Sequence, residues 1–315
     1  MTIERVLLIG SKQIGLRCLE TLVAITPGTV VGVVTIDDRA DRRTAYDEIV
    51  RSCASHSLPL YLARDRKHSE ALIREMPADL CIVAGWYWLF SKEIIELLPH
   101  GFIGIHFSLL PKYRGGSPLV WALINGEPEV GLSVFSFTDG VDEGGIWAQE
   151  RISVGEDEHV SGVLTRLEDK AVGTLYAKWP GVLNGTIQTV EQNHAEATYC
   201  SLRSPSDGEI YWRSGALHVY DFIRAQSDPY PGAYTWFQGE KLIVKRARRD
   251  GFTYYGTPGQ VAHVSPLGVR VICGDNRSVI LESVEWKSYV QSAHQVLKSI
   301  KIRLPSAGVS KEENG

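Results

Sequence analysis

The sequence predicts an α/β protein with a doubly wound, mostly parallel sheet, followed by a small antiparallel β-barrel domain. The first 110 residues alternate short apolar runs with longer segments of helical spacing, which is the pattern of parallel strands joined by helices. The last third is dominated by short strands punctuated by Gly and Pro. At 315 residues the chain is also too long for a typical single core, so two domains are expected.

Five predicted strands form the parallel sheet because their residues are β-branched and nearly all apolar, as strands buried on both faces are. They are Val6–Gly10, Thr29–Ile36, Leu60–Ala63, Leu80–Gly85 and Ile103–His106. The segments between them have helical spacing: Ile14–Ala24, Ala45–Ser57, His68–Glu75 and Ser91–Leu98. Ligands of such sheets bind beyond the carboxyl ends of the strands. His106, which ends the fifth strand, is therefore predicted to lie at the functional edge.

The middle of the chain continues this pattern with two helices and two strands. A compact helix is predicted to begin at Pro118 and to end before Gly126. Glu156–Trp179 has the spacing of a long amphipathic helix, which Pro180 is expected to stop. The predicted strands are Gly131–Thr138 and Ile146–Val154.

The domain organisation follows from a change in composition near residues 185–207, where Asn, Ser and Pro replace the apolar periodicity. We predict an N-terminal domain at 1–190, a linker at 191–207, a barrel domain at 208–305 and a disordered polar tail at 306–315. One helix is expected at Ser214–Gln226. The predicted strands after it are Ala233–Phe237, Lys241–Ala247, Gly259–Val264, Val269–Ile272 and Val279–Val284.

The composition is that of an ordinary soluble globular protein, with 44% hydrophobic and 22% charged residues. A net charge of −4 argues against a protein built mainly to hold polyanions. The five cysteines form no CxxC pair, so we interpret them as free thiols in a reducing compartment and expect no metal. The chain runs directly into its first strand, and no apolar run approaches about 18 residues. A cytoplasmic protein with no membrane partner is expected.

Two features of the sequence could indicate a dinucleotide or a nucleic acid as ligand, but both signals are weak. The turn after the first strand has Gly10 and Gly15 in a G-x4-G spacing, which is not the G-x-G-x-x-G of a dinucleotide site, although Asp37-Asp38 could supply the acid. Farther on, Lys241, Lys245 and Arg249 would share one strand face as a three-cation stripe. A stripe of this size binds phosphate only weakly, so nucleic acid is disfavoured as a partner.

The pair formed by His106 and Asp142 is the strongest candidate for catalysis. His106 leaves an apolar strand and enters a Leu-Leu-Pro turn, and Asp142 follows 36 residues later in a glycine-rich loop. Glycines there allow a ligand to approach the backbone closely. A carboxylate partner raises the basicity of a histidine and fixes its tautomer. We therefore predict that the two residues act together in proton transfer.

Three motifs around this pair carry a resemblance to a known family. They are His-x-Ser-Leu-Leu-Pro-Lys-Tyr-Arg-Gly from His106, Trp-Ala-Leu-Ile-Asn-Gly-Glu from Trp121 and Gly-Val-Asp-x-Gly-x-Ile from Gly140. Together they resemble the 10-formyltetrahydrofolate-dependent formyltransferases. The resemblance covers about residues 4–290 and is closest to the sugar-nucleotide N-formyltransferases. It implies a Rossmann-like catalytic domain followed by an OB-like barrel domain.

The resemblance also implies a reaction, and the sequence departs from the family pattern at one position. A formyl group would pass from 10-formyltetrahydrofolate to the primary amine of an amino-sugar nucleotide. The family's catalytic set is Asn-x-His with the later Asp; His106 and Asp142 match it, but Gly104 stands at the Asn position. Losing such an oxyanion donor typically costs about 10²–10³ in rate. We expect an ordered water in the space at Gly104 to replace it.

The resemblance supplies the other expected contacts. The folate is expected between two segments, one containing Trp86, Tyr87, Trp88 and Leu89, the other Asp139, Gly140 and Val141. The residues expected at the amine substrate are Ser108, Lys112, Tyr113, Arg114 and Gly115. For Lys112 and Arg114 two roles stay open, since they could bind an anionic group or form a solvated turn.

Three other functions within the same family also stay open. The chain could be a methionyl-tRNA formyltransferase, which would make tRNA a partner despite the acidic N-terminal domain. It could instead formylate N5-hydroxyornithine. It could also be a folate-binding member with weak catalysis, because Gly104 replaces the family Asn. A homodimer is a further possibility.

Overall fold

The computed structural model describes residues 3–306, which divide into two compact units. The first contains residues 3–118, 129–153 and 164–201, and the second contains residues 119–128, 154–163 and 202–306. Residues 307–315 of the predicted tail lie outside the described residues. The predicted domain boundaries at 190 and 207 stay predictions.

The first unit is built on a seven-stranded sheet with helices between the strands. The elements up to residue 201 are β1 (Val6–Gly10), α1 (Lys12–Ile25), β2 (Val30–Thr35), α2 (Tyr46–Ser55), β3 (Leu60–Leu62), α3 (Arg66–Glu75), β4 (Leu80–Ala84), α4 (Lys92–Ile95), β5 (Phe102–His106), β6 (Arg114–Gly115), α5 (Pro118–Ile124), β7 (Glu129–Ser136), β8 (Ile146–Ser153), α6 (Val160–Leu183) and β9 (Tyr199–Cys200). α4 is shorter than predicted because the chain tightens after it, where the Leu97 amide donates to the Ile94 carbonyl at 3.2 Å.

The strand order of this sheet is β3-β2-β1-β4-β5-β7-β8. The pairs from β3 to β5 are parallel, whereas β7 pairs antiparallel with β5 and β8. The prediction of a doubly wound, mostly parallel sheet is therefore confirmed. β1 and β4 are buried along their whole length, and separate apolar clusters cover the two faces of the sheet. The carboxyl ends of the parallel strands meet at one edge, where His106 is the last residue of β5.

The long helix α6 differs from its prediction at both ends. It begins at Val160, after a turn in which the Gly155 amide donates to Glu158 Oε2 at 3.0 Å. It also continues through Pro180 to Leu183, so the expected stop is wrong. The last turn persists because Leu183 is buried in the core and its carbonyl accepts the amide of Ile3 at 2.9 Å. These contacts offset the one hydrogen bond that proline cannot donate. The helix α5 ends as predicted, with Gly126 at a φ of 71°.

The second unit contains a six-stranded antiparallel sheet around its own apolar core. Its later elements are α7 (Ala216–Ala225), β10 (Ala233–Phe237), β11 (Glu240–Thr253), β12 (Val261–Ser265), β13 (Gly268–Ile272), β14 (Arg277–Trp286), β15 (Tyr289–Ser292) and α8 (Ala293–Val296). The order is β10-β11-β14-β13-β12, with β15 also paired to β14. This confirms the predicted small antiparallel domain. β11 is longer than predicted because it keeps pairing with β14 beyond the apolar alternation, as far as Thr253.

The expected cationic stripe on β11 is wrong. Register shifts at Val244/Arg246 and at Arg246/Ala247 interrupt the alternation that would place the three cations on one face. Lys245 Nζ lies 2.6 Å from a carboxylate oxygen of Asp228, and its side chain is largely buried. Arg246 and Arg248 both pair with Glu282. These three positive charges are therefore matched locally by carboxylates.

Candidate active site

The ring of His106 is held in a defined tautomer at the end of β5. Its Nε2 lies 2.8 Å from the carbonyl oxygen of Tyr113. A carbonyl can only accept, so Nε2 carries the proton and the neutral ring has its lone pair on Nδ1. Nδ1 lies 3.6 Å from Asp142 Oδ2, and both side chains are mostly buried. His106 thus presents Nδ1 as a base beside a carboxylate.

Asp142 is fixed through both its side chain and its backbone. Oδ2 accepts the amide of Gly115 at 2.8 Å, and the main-chain carbonyl accepts Nε2 of Gln192 at 2.9 Å. The residue has a φ of 50°, in the left-handed region that Asp tolerates better than most residues. The separation of 3.6 Å is too long for a hydrogen bond to His106. The carboxylate therefore faces Nδ1 and would stabilise a proton placed there.

The turn after His106 is held from inside by side-chain hydroxyls. Ser108 Oγ donates to the Lys112 carbonyl at 2.7 Å, and Ser133 Oγ donates to the Ser108 carbonyl at 2.8 Å. Gln149 Nε2 donates to the Leu110 carbonyl at 3.0 Å. Ser108 is itself buried. The structure thus places it in the scaffold of the turn, and its predicted contact with the amine substrate stays a prediction.

Arg114 and Lys112 lie in different surroundings. Arg114 is only 1% exposed, and its guanidinium donates to Gln192 Oε1 at 2.7 and 3.1 Å and to Tyr199 Oη at 3.1 Å. Lys112 is exposed. Arg114 therefore belongs to the scaffold, and Lys112 alone of the two cations is accessible to a substrate. Tyr113 and Gly115 contribute backbone groups, a carbonyl to His106 and an amide to Asp142.

Gly104 lies on β5 in a space that two aromatic rings fill. β7 places Phe135 directly opposite it, and the amide of Phe137 donates to the Phe102 carbonyl. A Cβ added at Gly104 would overlap the ring of Phe137 and lie 3.0 Å from the ring of Phe135. The expectation of an ordered water there is wrong, because the volume is already occupied. The ring of Phe135 also lies edge-on to His106, with centroids 6.1 Å apart.

An aromatic cluster follows β4, which pairs with β5, the strand that ends at His106. Trp86 stacks on Phe90 with centroids 6.4 Å apart and meets Trp88 edge-on at 5.3 Å. Phe90 in turn contacts Phe137, which covers Gly104. Within residues 3–306, Nε1 of Trp86 is buried without a hydrogen-bond partner. The cluster is therefore part of the core that still holds one unused donor.

The predicted folate segments also present accessible residues. Leu89 is 69% exposed and Val141 is 41% exposed, whereas Trp86 and Trp88 are half-buried. Asp139 is largely exposed, with a carboxylate oxygen 3.9 Å from Lys92 Nζ. Gly140 precedes Val141 in the turn, and a Cβ there would overlap the carboxyl group of Glu143. These features leave both segments open to a ligand, and the folate contacts stay predictions.

Tyr87 joins a polar cluster at the same edge that the sequence did not reveal. Its hydroxyl shares its one proton between Asp38 at 3.1 Å and Asp41 at 2.9 Å, and burial and the bond to Asp41 raise the pKa of the phenol. Lys12 Nζ lies 4.1 Å above the Tyr87 ring, and burial lowers the pKa of this amine to about 8. Asp38 also accepts the hydroxyl of Ser11 at 3.0 Å. The acid after β2 is thus engaged by internal hydroxyls, which leaves little capacity for a nucleotide ribose.

The segment predicted as a linker contributes to the site. The amide of Tyr113 donates to Thr198 Oγ1 at 2.9 Å, and β6 pairs with β9 in parallel. Gln192 reaches both Arg114 and the loop of Asp142. The sequence did not predict this role because the segment is polar in composition. The β-branched and aromatic pair Thr198-Tyr199 is the signal that could have indicated a strand there.

Metal and cysteine chemistry have no candidate centre in the described part of the chain. No group of three or more His, Cys, Asp or Glu side chains among residues 3–306 could hold a metal ion. Cys18 and Cys273 are buried, and burial raises the pKa of each thiol to about 12, so neither is a ready nucleophile. None of the helices over the same range is long and apolar enough to cross a membrane.

Solved structures with the same fold include several group-transfer enzymes. A sugar 3N-formyl transferase, WlaRD, solved with dTDP and 5-N-formyl-THF, is 13% identical with a TM-score of 0.66 and covers 92% of this chain and 100% of its own. An N-formyltransferase from Helicobacter canadensis, with folinic acid and dTDP-3-aminofucose, is 14% identical with a TM-score of 0.68 and covers 88% and 98%. Methionyl-tRNA formyltransferase from Clostridium thermocellum is 18% identical with a TM-score of 0.56 and covers 79% and 94%. At these identities the likeness shows a shared fold.

Family membership rests on matches along the sequence itself. A family model described as formyl transferase matches residues 5–178, which is more than half of the chain. A second, described as the formyl transferase C-terminal domain, matches residues 203–301. The first match contains His106 and Asp142, and the second contains the antiparallel sheet. The chain belongs to the formyl transferase family.

Proposed function

We propose that the chain transfers a formyl group from 10-formyltetrahydrofolate to the primary amine of a nucleotide-linked amino sugar. The observation that carries this proposal is the geometry of His106, whose Nε2 is bonded to the Tyr113 carbonyl while Nδ1 faces Asp142 at 3.6 Å. An amine that becomes an amide must lose a proton. A base of fixed tautomer beside a carboxylate supplies that step.

The proton path follows from the same contacts. His106 Nδ1 accepts the proton of the attacking amine, and the imidazolium that forms is stabilised by Asp142. The amide of Gly115 keeps that carboxylate facing the ring. His106 then returns the proton to the departing nitrogen. A carbon–nitrogen bond forms to the amine and one to the carrier breaks, so the proton taken from the amine ends on the carrier nitrogen.

The folate would be held by the Trp86–Leu89 segment and the Asp139–Val141 turn. Bound 10-formyltetrahydrofolate supplies an activated formyl group. The described residues fit such a ligand because the aromatic cluster retains a buried, unpaired donor at Trp86 Nε1, and Leu89 and Val141 expose apolar surface. A flat pterin ring suits surroundings of this kind. The presence of 5-N-formyl-THF in the WlaRD structure supports the assignment.

The amino-sugar nucleotide is favoured as the acceptor by two observations. The sugar N-formyltransferases solved with dTDP or dTDP-3-aminofucose match at least 88% of this chain. Lys245, Arg246 and Arg248 of β11 are paired with carboxylates, which weakens the case for a long polyanion such as tRNA. Exposed Lys112, six residues after the catalytic histidine, is a suitable contact for a phosphate group.

A panel of acceptors tests the proposal. The purified chain would be incubated with 10-formyltetrahydrofolate and, separately, dTDP-linked amino sugars, N5-hydroxyornithine and initiator methionyl-tRNA, with products identified by mass. We expect a formylated amino-sugar nucleotide from the wild type and a loss of about 10²–10⁴ in rate for His106→Asn. Preferential formylation of another amine would show that the acceptor belongs to a different substrate class from the one proposed. Turnover that His106→Asn leaves unchanged would contradict the site.

A second candidate is a folate-binding member with weak catalysis, and the packing at Gly104 favours it. The rings of Phe135 and Phe137 occupy the space where the family places an amide donor. Under this alternative, folate affinity is retained while turnover stays low with every acceptor in the panel. Measuring folate binding by fluorescence quenching beside turnover separates the two functions.

A further inference from the structure

We propose that Gln192 is a positioning residue for Asp142. We further propose that residues 192–200 restrain the backbone that holds both His106 and Asp142. This inference rests on the proposed function in the experiments that measure turnover, but not in the one that compares crystal structures. Gln192 lies 50 residues beyond Asp142, in the segment whose composition predicts a linker. It is only 5% exposed. Its contacts are internal, so it acts on the reaction through the carboxylate that it holds.

The amide of Gln192 is oriented without ambiguity by its partners. Oε1 accepts Nε and Nη2 of Arg114 at 3.1 and 2.7 Å. Nε2 donates to the carbonyls of Asp142 at 2.9 Å and Gly144 at 2.7 Å. Arg114 can only donate and the two carbonyls can only accept, so a flipped amide would lose all four bonds. A single side chain thus connects a buried guanidinium to the loop that presents the carboxylate.

Asp142 needs such support because its backbone is strained. A non-glycine residue in the left-handed region is strained and persists only where neighbours hold it. The side chain of Asp142 is held by Gly115 and its carbonyl by Gln192. Without Gln192 the main-chain restraint is lost, and the loop can relax to an extended or helical backbone. The carboxylate would then leave its place beside His106.

The same segment restrains the other partner of the histidine. Tyr113, whose carbonyl fixes His106 Nε2, also has a left-handed backbone, with a φ of 59°. Its amide donates to Thr198 Oγ1, and the amide of Arg114 donates to the Thr198 carbonyl, each at 2.9 Å. Residues 192–200 therefore restrain the backbone on both sides of the imidazole.

The chain offers a matched control in Gln226. This glutamine is 6% exposed, and it likewise accepts from an arginine, Arg203 at 2.7 Å, and donates to a carbonyl, that of Phe222 at 2.9 Å. Gln192→Leu and Gln226→Leu both remove a buried amide of this kind. We expect both to lower the melting temperature, but only Gln192→Leu to lower kcat, by about 10–100-fold, with KM for the amine changed less than about 3-fold. Equal effects of the two variants on kcat would overturn the proposal.

Gln192→Glu separates stability from positioning. Its carboxylate still accepts from Arg114 but cannot donate to the carbonyls of Asp142 and Gly144. We expect kcat to fall as in Gln192→Leu while the melting temperature stays closer to that of the wild type. Full kcat in Gln192→Glu would overturn the proposal, because donation to the loop would then be unnecessary.

Crystal structures of the wild type and Gln192→Leu give a readout that needs no acceptor. We expect Asp142 to leave its left-handed conformation in the variant, with loss of the bond from the Gly115 amide. An unchanged loop in the variant would overturn the inference whatever the reaction proves to be. If the wild type formylates no amine but the loop moves as expected, the proposed function fails and the positioning role of Gln192 stands.

Discussion

At the scale of single residues, the site is defined by which atoms are engaged and which are left available. The bond from His106 Nε2 to the Tyr113 carbonyl leaves Nδ1 as the basic atom. The bond from the Gly115 amide to Asp142 Oδ2 holds a carboxylate 3.6 Å from that atom. Neither contact is visible in the sequence, since each depends on the fold of a turn. They support the proposed role of His106, which is to move one proton between two nitrogens.

The charge of Asp142 is predicted to contribute more to the rate than the hydrogen bond that its side chain accepts from the Gly115 amide. Asp142→Asn can still accept the Gly115 amide through its carbonyl oxygen, but it cannot stabilise an imidazolium at His106. We expect kcat to fall by about 10²–10⁴ with little change in melting temperature. Steady-state kinetics beside thermal unfolding checks this. A variant that kept its rate would show that the carboxylate is not part of the proton path.

Substitutions at Gly104 and Phe137 are predicted to have non-additive effects, because a side chain at position 104 would overlap the Phe137 ring. Gly104→Asn forces the ring of Phe137 to move, and we expect it to lose about 1–3 kcal/mol of unfolding free energy. Adding Phe137→Ala removes the overlap, so the double variant should turn over faster than Gly104→Asn alone. Phe137→Ala by itself is the control for the loss of the ring. Denaturant unfolding of all four proteins checks the stability part, and a Gly104→Asn protein as stable as the wild type would contradict it.

At the scale of elements, α6 shows how packing prevails over local sequence signals. Pro180 predicts a helix end, yet the helix continues because the residues after it are buried and Leu183 accepts the amide of Ile3. The same helix carries Glu168, which is mostly buried with its carboxylate 4.0 Å from Arg17 Nη1. Burial raises the pKa of Glu168 to about 7. We therefore expect the contact between α1 and α6 to be sensitive to pH.

Glu168 is predicted to make the protein less stable as the pH rises. Its pKa is higher in the folded than in the unfolded chain, where it is near 4.5, so the folded state binds the proton more tightly. The contribution is complete below about pH 4.5 and is lost as the pH rises through about 7. Glu168→Gln should remove this dependence and be more stable than the wild type at pH 8, by up to about 3 kcal/mol.

Urea unfolding between pH 5 and pH 8 measures this effect. Asp169→Asn is a suitable control, because Asp169 pairs with the same arginine at 2.7 Å but is exposed. We expect the control to keep most of the pH dependence of the wild type, because burial is the main cause of the raised pKa of Glu168 and the charge of Asp169 is a smaller one. Parallel curves for the wild type and Glu168→Gln would show that Glu168 ionises normally in the folded protein.

At the scale of the whole molecule, regular features were predictable and contacts between distant segments were not. β1 and β10 match their predicted bounds because their apolar runs are sharply delimited. The prediction that His106 ends a strand at the carboxyl edge of the sheet is confirmed, and its function there stays a prediction. The filling of the space at Gly104 depends on the register of β5 against β7, and the role of Gln192 depends on Arg114, which lies 78 residues away. Such pairings are set by tertiary packing, which one sequence does not encode in local spacing.

The charge distribution of the second unit predicts weak binding of tRNA. Lys245, Arg246 and Arg248 pair with carboxylates of the same unit, so few counterions would be released on phosphate binding. We expect initiator methionyl-tRNA to bind no more tightly than non-specific nucleic acid, at about 10⁻⁴–10⁻⁶ M in physiological salt. Filter binding with elongator tRNA as the control checks this. Clear preference for the initiator would favour the methionyl-tRNA function instead.

Transfer of an isotopically labelled formyl carbon tests the central claim most directly. 10-Formyltetrahydrofolate labelled with carbon-13 at the formyl group would be mixed with a dTDP-linked amino sugar and either the wild type or Asp142→Asn, and the label followed by NMR. The label is predicted to appear as a formamide on the sugar nitrogen with the wild type, and far more slowly with Asp142→Asn. Label that remained on the folate, or that appeared as free formate, would contradict the assignment as an N-formyltransferase.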